Sequence, residues 1–244
     1  MGDFDPDEYA RVSSNRCSAT SSPKITFERY ERAFHRAEPA ALEVQMDDKA
    51  NAGLLGQLTI EMSDKHPDYP AMKLASHLLG GGFLSSRLAN RIRDEEGLSY
   101  GVGGGFNASS IDKRGSFYTY AMYAPQNRDE LVDVLFEELN KAVDEGFDEE
   151  EVAEGRRGYL RQLELMRSND AQLINLLGNN LYLDRDMFHQ AEFEQKVAEL
   201  SADDVTQAVR EHLDPELLSY AVAGDFEEDP DESPDESPDD ESGD

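Results

Sequence analysis

Arg93 and Tyr100 are the residues of this chain best suited to chemistry. A guanidinium presents a rigid planar fork of donors that fits carbonyl or carboxylate oxygens, and a phenol adds one further donor. Set either side of Gly97, the two read as a clamp that holds a peptide backbone and stabilises an oxyanion. By residue type alone the structural reading is the stronger: Arg93 pairs with nearby Glu95 or Glu96, and Tyr100 packs in the core.

Metal chemistry finds less support. The histidines are His35, His66, His77, His189 and His212, and no two stand one helical turn apart. The stretch His189-Gln-Ala-Glu-Phe193 opens like H-x-x-E-H but has Phe where the second imidazole must be. A catalytic zinc needs three protein ligands and one open position, which one His and one Glu do not supply. His189 therefore reads as a polar helix residue, and the chain is assigned no metal ligand and no cofactor of its own. Gly80-Gly81-Gly82 lacks the Gly-Lys-Ser/Thr of a phosphate loop, and Gly101, Gly103, Gly104 and Gly105 lie inside a strand pattern, so neither supports nucleotide binding. Glycine within a strand marks a close backbone approach. An extended peptide added to that edge would gain main-chain hydrogen bonds. A bulge, or tight packing under a helix, fits the same pattern.

The elements that must position these residues follow from apolar periodicity. Leu54 to Met62 reads as a strand. Pro67-Asp-Tyr-Pro opens a helix carrying Met72, Leu74, Ala75, Leu78 and Leu79, ended by Gly80 to Gly82. Ser85 or Ser86 can cap a short helix with Leu88 and Ile92 inward. Leu98–Ala108 and Gly115–Tyr123 form a strand pair. A helix from Pro125 stops at Gly146, and Asp148 with Glu151 forms a variant capping box for the next, which runs through about Arg167. Asp170–Tyr182 and Met187–Leu200 are further helices, Ser201 caps another, and Leu217–Ala223 is a last strand. This order predicts an α+β fold, a two-layer sandwich of mainly antiparallel sheet with helices on one face. Residues 1–38 read as a polar arm or linker with a short helix over Phe27–Arg36. Residues 39–226 read as one domain, and 227–244 as a disordered acidic tail.

Charge excludes several partners. The formal net charge is -30; twelve acidic residues of the stretch 225–244 account for part of it and leave -18 elsewhere. Lysines number only seven among 23 basic residues. So acidic a surface opposes nucleic acid and anionic membranes, which need basic patches. It also repels itself at low salt and suits a salt-rich source, because ~1 M salt shortens the screening length to about 3 Å. The single Cys17 permits no intrachain disulfide. Neither a signal-peptide pattern nor a long apolar run is present, so a soluble, cytoplasmic protein is expected.

Several collinear pieces resemble the C-terminal half of insulinase/pitrilysin-like (inverzincin) zinc metallopeptidases. They are Lys49-Ala-Asn-Ala, the Pro67-Asp-Tyr-Pro-Ala helix, Leu78-Leu-Gly-Gly-Gly, Ser85-Ser-Arg-Leu, Arg91-x-Arg-x-x-x-Gly-Leu-x-Tyr100, Ala124-Pro-Gln-Asn and Glu145-Gly-x-x-Glu-Glu-Glu-Val152. The resemblance spans roughly Lys49 to Phe226. In that family two halves close around the substrate; one supplies zinc and a general base through H-x-x-E-H, the other an Arg and a Tyr. The residues matching those two are Arg93 and Tyr100. No zinc ligand can be carried over, which makes independent activity uncertain. The implied function is to bind extended peptide and complete the active site of a zinc-bearing partner half, or of a second copy in a homodimer, with zinc held by the partner. A non-catalytic assembly or scaffold subunit is the alternative.

Overall fold

The computed structural model describes residues 29–30, 32–82 and 85–226, with Asp7, Glu8 and Arg11. Strand β1 is Ala41–Gln45 and β2 is Ala52–Ile60. Helix α1, Tyr69–Ser76, continues into a π-helical turn, His77–Gly81. A second π-helical segment, Ala89–Glu95, leads to β3, Ser99–Ala108, and β4, Gly115–Tyr123. Helices α2 (Arg128–Asp144), α3 (Glu149–Ser168), α4 (Asp170–Tyr182), α5 (Met187–Glu199) and α6 (Ala202–His212) follow, and β5, Ser219–Gly224, closes the fold.

The sheet order is β1-β5-β2-β4-β3. β1 runs parallel to β5 and every other pair is antiparallel. The expected α+β architecture is present, with helices on one face of a mainly antiparallel sheet. Alternation decides which face is covered: Leu54, Leu58, Ile60, Phe117, Ala121 and Tyr123 point to the helices and are buried. They pack on Met72, Leu74 and Leu79 of α1 and its π turn, and on Leu131, Leu135, Leu139, Val205 and Val209.

Gly80 lets that π turn approach β3. A Cβ there would lie 2.6 Å from the backbone nitrogen of Gly104, which cannot move aside. A Cβ at Gly104 would in turn lie 2.6 Å from the carbonyl oxygen of Tyr118. Tight packing under a helix, one of the two readings left open above, therefore explains these two glycines. Gly146 at φ 78° ends α2 as expected.

Two expectations are corrected. β1 was not foreseen, because all five residues are exposed and an edge strand without a buried face has no alternating apolar signal. Over the expected helix Phe27–Arg36, the described residues have no regular structure; Phe27, Glu28 and Glu31 lie outside the described residues. The tail expectation for 227–244 also lies outside them. A smaller difference concerns α3. Asp148 caps it by accepting the Glu151 N–H at 2.8 Å, but the Glu151 carboxylate turns to Arg87 instead of closing a capping box. The reciprocal box is found at Ser201 and Asp204 instead.

Candidate functional site

Arg93 and Tyr100 lie at the two ends of a short connector whose shape the sequence dictates. Leu88 and Ile92 are fully buried and hold the π-helical segment to the core. Gly97, at φ 67°, takes the left-handed conformation that a side chain resists, and the Leu98 N–H then bonds back to the Ile92 carbonyl at 2.9 Å. Asn127 Nδ2 donates to the Leu98 carbonyl at 3.1 Å. β3 begins with a bulge between Ser99 and Gly101 that leaves Tyr100 outside the ladder. Buried Ser99 fixes the bulge: its hydroxyl donates to Met122 O at 2.7 Å and accepts the Gly101 N–H at 3.1 Å.

The bulge turns Tyr100 outward. It is 59% exposed, which overturns the reading of it as a core residue. Its hydroxyl donates to Asn51 Oδ1, at the entry to β2. Asn51 belongs to the Lys49-Ala-Asn-Ala piece noted in the sequence, but its bond to Tyr100 needed the register Ala52–Tyr123–Ser99 to become visible.

Arg93 does not pair with Glu95 or Glu96. Its Nε and one Nη reach the two Asp94 oxygens at 2.8 and 3.0 Å. That hydrogen bond holds the Asp94 carboxyl below the usual range. Arg91 takes Glu95, Glu96 and Glu137 instead. Among the described residues no second partner engages the Arg93 guanidinium, so its outer Nη protons point away from the fork. Arg93 and Tyr100 have separate partners and no bond to each other.

Arg87, noted only within the Ser85-Ser-Arg-Leu piece, anchors this region. Its Nε and Nη2 bond Glu151 at 2.6 and 2.7 Å, and Nη2 also reaches the Gly146 carbonyl at 2.7 Å. Two pieces of the resemblance thus meet in space.

The sheet face away from the helices is apolar and exposed. Leu42, Ala221, Leu55, Tyr120 and Gly103 stand in register across all five strands, and Met122 and Tyr118 flank that row. Gly103 and Gly105 lie under the Tyr120 and Tyr118 rings: a Cβ would come within 2.8 and 2.7 Å of the two phenol oxygens. β3 is one of the two edges, paired on one side only by β4.

Imidazoles do meet, against the expectation drawn from their spacing. His66, Asp68 and His212 place one ligand atom each within 4.8 Å of one another. A two-His, one-carboxylate set is of zinc type. The atoms, however, already have partners. His66 Nδ1 accepts the Asp68 N–H at 3.2 Å, and His212 Nε2 bonds Asp68 Oδ2 at 2.8 Å. As built, the cluster ties the end of α6 to the start of α1. Sequence reasoning missed it because it sought helical spacing within one segment. His189 lies on α5, as expected of a helix residue.

Among the described residues no helix is long and apolar enough to cross a membrane. The sequence pattern of the peptidase M16 inactive domain matches residues 1–159. A Helicobacter pylori protein described as "Non-peptidase homolog YmxG" is 21% identical over 228 residues, 93% of this chain and 51% of that protein. The chain thus spans about half the length of that curated relative. The crystal structure of a peptidase M16 inactive domain from Pseudomonas fluorescens superposes with a TM-score of 0.75 at 19% identity, covering 91% of this chain and 52% of that one. The periplasmic protease PqqL from Escherichia coli superposes with a TM-score of 0.65 at 20% identity, covering 91% and 24%. At these identities the structural likeness is one of fold.

Proposed function

Because the chain belongs to the peptidase M16 inactive-domain family, we propose that it presents Arg93 and Tyr100 to an extended peptide lying in the active site of a zinc-bearing peptidase half. The observation that carries this reading is the bulge at Tyr100. A strand spends regular pairing to turn an aromatic residue out of its core, and the same connector holds Arg93 with donors uncommitted. The partner half holds the zinc and the general base. It polarises the scissile carbonyl, while Arg93 and Tyr100 bind substrate oxygens and donate to charge that develops there. Alone, this chain leaves unstructured peptides uncut. The cytoplasm suits a chain of this composition, although PqqL is described as periplasmic.

The test pairs the chain with a peptidase half carrying H-x-x-E-H and follows cleavage of a fluorogenic peptide. Arg93→Ala and Tyr100→Phe should each lower kcat by about 10²–10³, as loss of one oxyanion donor does. Arg93→Lys should fail too, because an ammonium lacks the planar fork. Both residues are outside the core, and an exposed, solvent-screened pair such as Arg93–Asp94 adds little to stability, so melting temperatures should barely move. Arg157→Ala, exposed on α3, is the control. Normal turnover in both clamp variants would refute the reading and leave the assembly role, for which the exposed sheet face is the supporting observation.

A further inference from the structure

A cleft of about 550 Å³ opens between α1, α3 and the α4–α5 pair, within the size range of small-molecule sites and sharing no residue with the Arg93–Tyr100 connector. Its charge is inverted relative to the rest of the chain. Three of the seven lysines, Lys65, Lys73 and Lys196, line it. None has a carboxylate partner among the described residues, in a chain with 53 acidic residues to offer. Many arginines behave otherwise, although Arg156 and Arg210 bond backbone carbonyls. Arg29, Arg87, Arg91, Arg93, Arg128 and Arg167 all bond carboxylates. Arg185, also in the lining, is neutralised by Asp64 through bonds of 2.7 and 3.0 Å, with Ser110 donating to the same carboxylate at 2.6 Å. Glu192, exposed at the rim, is the other acid of the lining.

Lys65 and Lys196 are exposed, while Lys73 lies deeper on α1. The Lys73 ammonium donates to the Phe106 carbonyl at 2.8 Å, and burial holds its pKa down. A desolvated ammonium with a single carbonyl is under-satisfied, since it carries three donors and a full charge. Tyr159, Leu163, Leu176 and Phe193 supply apolar wall, among polar Asn179, Asn180, His189 and Gln190.

We propose that this cleft binds a small organic acid with an apolar body, its carboxylate on Lys73 and its chain against Tyr159, Leu163 and Phe193. Lys65 and Lys196 at the mouth attract the anion against the repulsion of the acidic body. The ligand supplies the carboxylate that the chain withholds, and its chain covers leucine and aromatic surface.

Calorimetric titration of the full chain with octanoate at pH 7 and ~0.15 M KCl tests this. One saturable site is expected. Octanamide, which keeps the body and loses the charge, should bind about tenfold more weakly. Lys73→Met should weaken octanoate to the octanamide level and leave octanamide unchanged; Lys141→Met, exposed on α2, should change neither. Should Lys73→Met fail to fold because it unties α1 from β3, the exposed pair Lys65→Met/Lys196→Met takes its place and should weaken octanoate at least threefold, with octanamide unmoved. Equal affinity for the acid and its amide, affinity indifferent to these lysines, or no saturation below ~10 mM would overturn the proposal.

Discussion

Replacing Arg87 by methionine should cost the folded state about 3 kcal/mol at neutral pH. Methionine keeps the apolar stem against Phe147, whose ring centroid lies 4.3 Å from the guanidinium carbon. What disappears is the charge. Glu151, with its side chain 25% exposed, loses two hydrogen bonds, and the Gly146 carbonyl loses one. Glu138, its side chain 7% exposed and 3.9 Å from Nη1, keeps its burial and loses its compensating cation. Burial already pushes the Glu138 carboxyl up, and Arg87 pulls it back. Stranding one member of a buried pair costs ~3–5 kcal/mol; the partial exposure of Glu151 places this case at the low end. For a body of this size each kcal/mol is worth about 2–4 °C, so the melting temperature should fall by roughly 6–12 °C. The sign of the pH dependence is fixed. A carboxyl whose folded pKa is raised binds its proton more tightly when folded, and loss of Arg87 raises it further. The deficit of the variant should therefore shrink between about pH 7 and pH 4.5, as Glu138 takes up its proton. Thermal melts by circular dichroism at both pH values are the assay, and Arg87→Met/Glu151→Gln should recover part of the loss. A deficit under ~1 kcal/mol at neutral pH, or an equal deficit at both, would refute this account of the anchor.

Two other expectations concern pH and salt. Burial, with Lys73 close by, holds the pKa of His77 below its ordinary 6.5, so the unfolded chain binds the extra proton first. Stability contributed by neutral His77 is complete above that ordinary value and is lost as pH falls through it toward the folded pKa. His77→Gln should flatten the urea-midpoint profile between about pH 7.5 and 5.5, and an unchanged slope would assign the titration elsewhere. Screening of the acidic body should raise the melting temperature as potassium chloride goes from ~0.1 to ~2 M. A flat or falling trend would remove the argument for a salt-rich source.

Most elements with one buried face were legible, because period and punctuation agree with where they lie. Leu131, Leu135 and Leu139 form the buried stripe of α2, and Gly146 stops it. β1 was not legible: Leu42 and Val44 are exposed, and the strand exists because β5 offers it an edge. The candidate site was half legible. Arg93 and Tyr100 could be named from residue types and resemblance, but the bulge, Asn51 and the partner Asp94 depend on register and rotamer. Arg87–Glu151 and His66–Asp68–His212 join segments 64 and 144 or more residues apart, which no local pattern encodes.

The strand order β1-β5-β2 has a consequence for synthesis. The last strand made lies between the first two, so the sheet cannot close along that seam until Gly224 has been added. From Ile60 to Ser219, translation at ~5–20 residues per second takes roughly 8–30 s. Throughout that interval the β5-facing edge of β2 stays empty, with Leu55 beside it, and only once Tyr123 has been added can β4 pair the other side. A nascent chain in that condition depends on its surplus of carboxylates, or on a chaperone, to stay single.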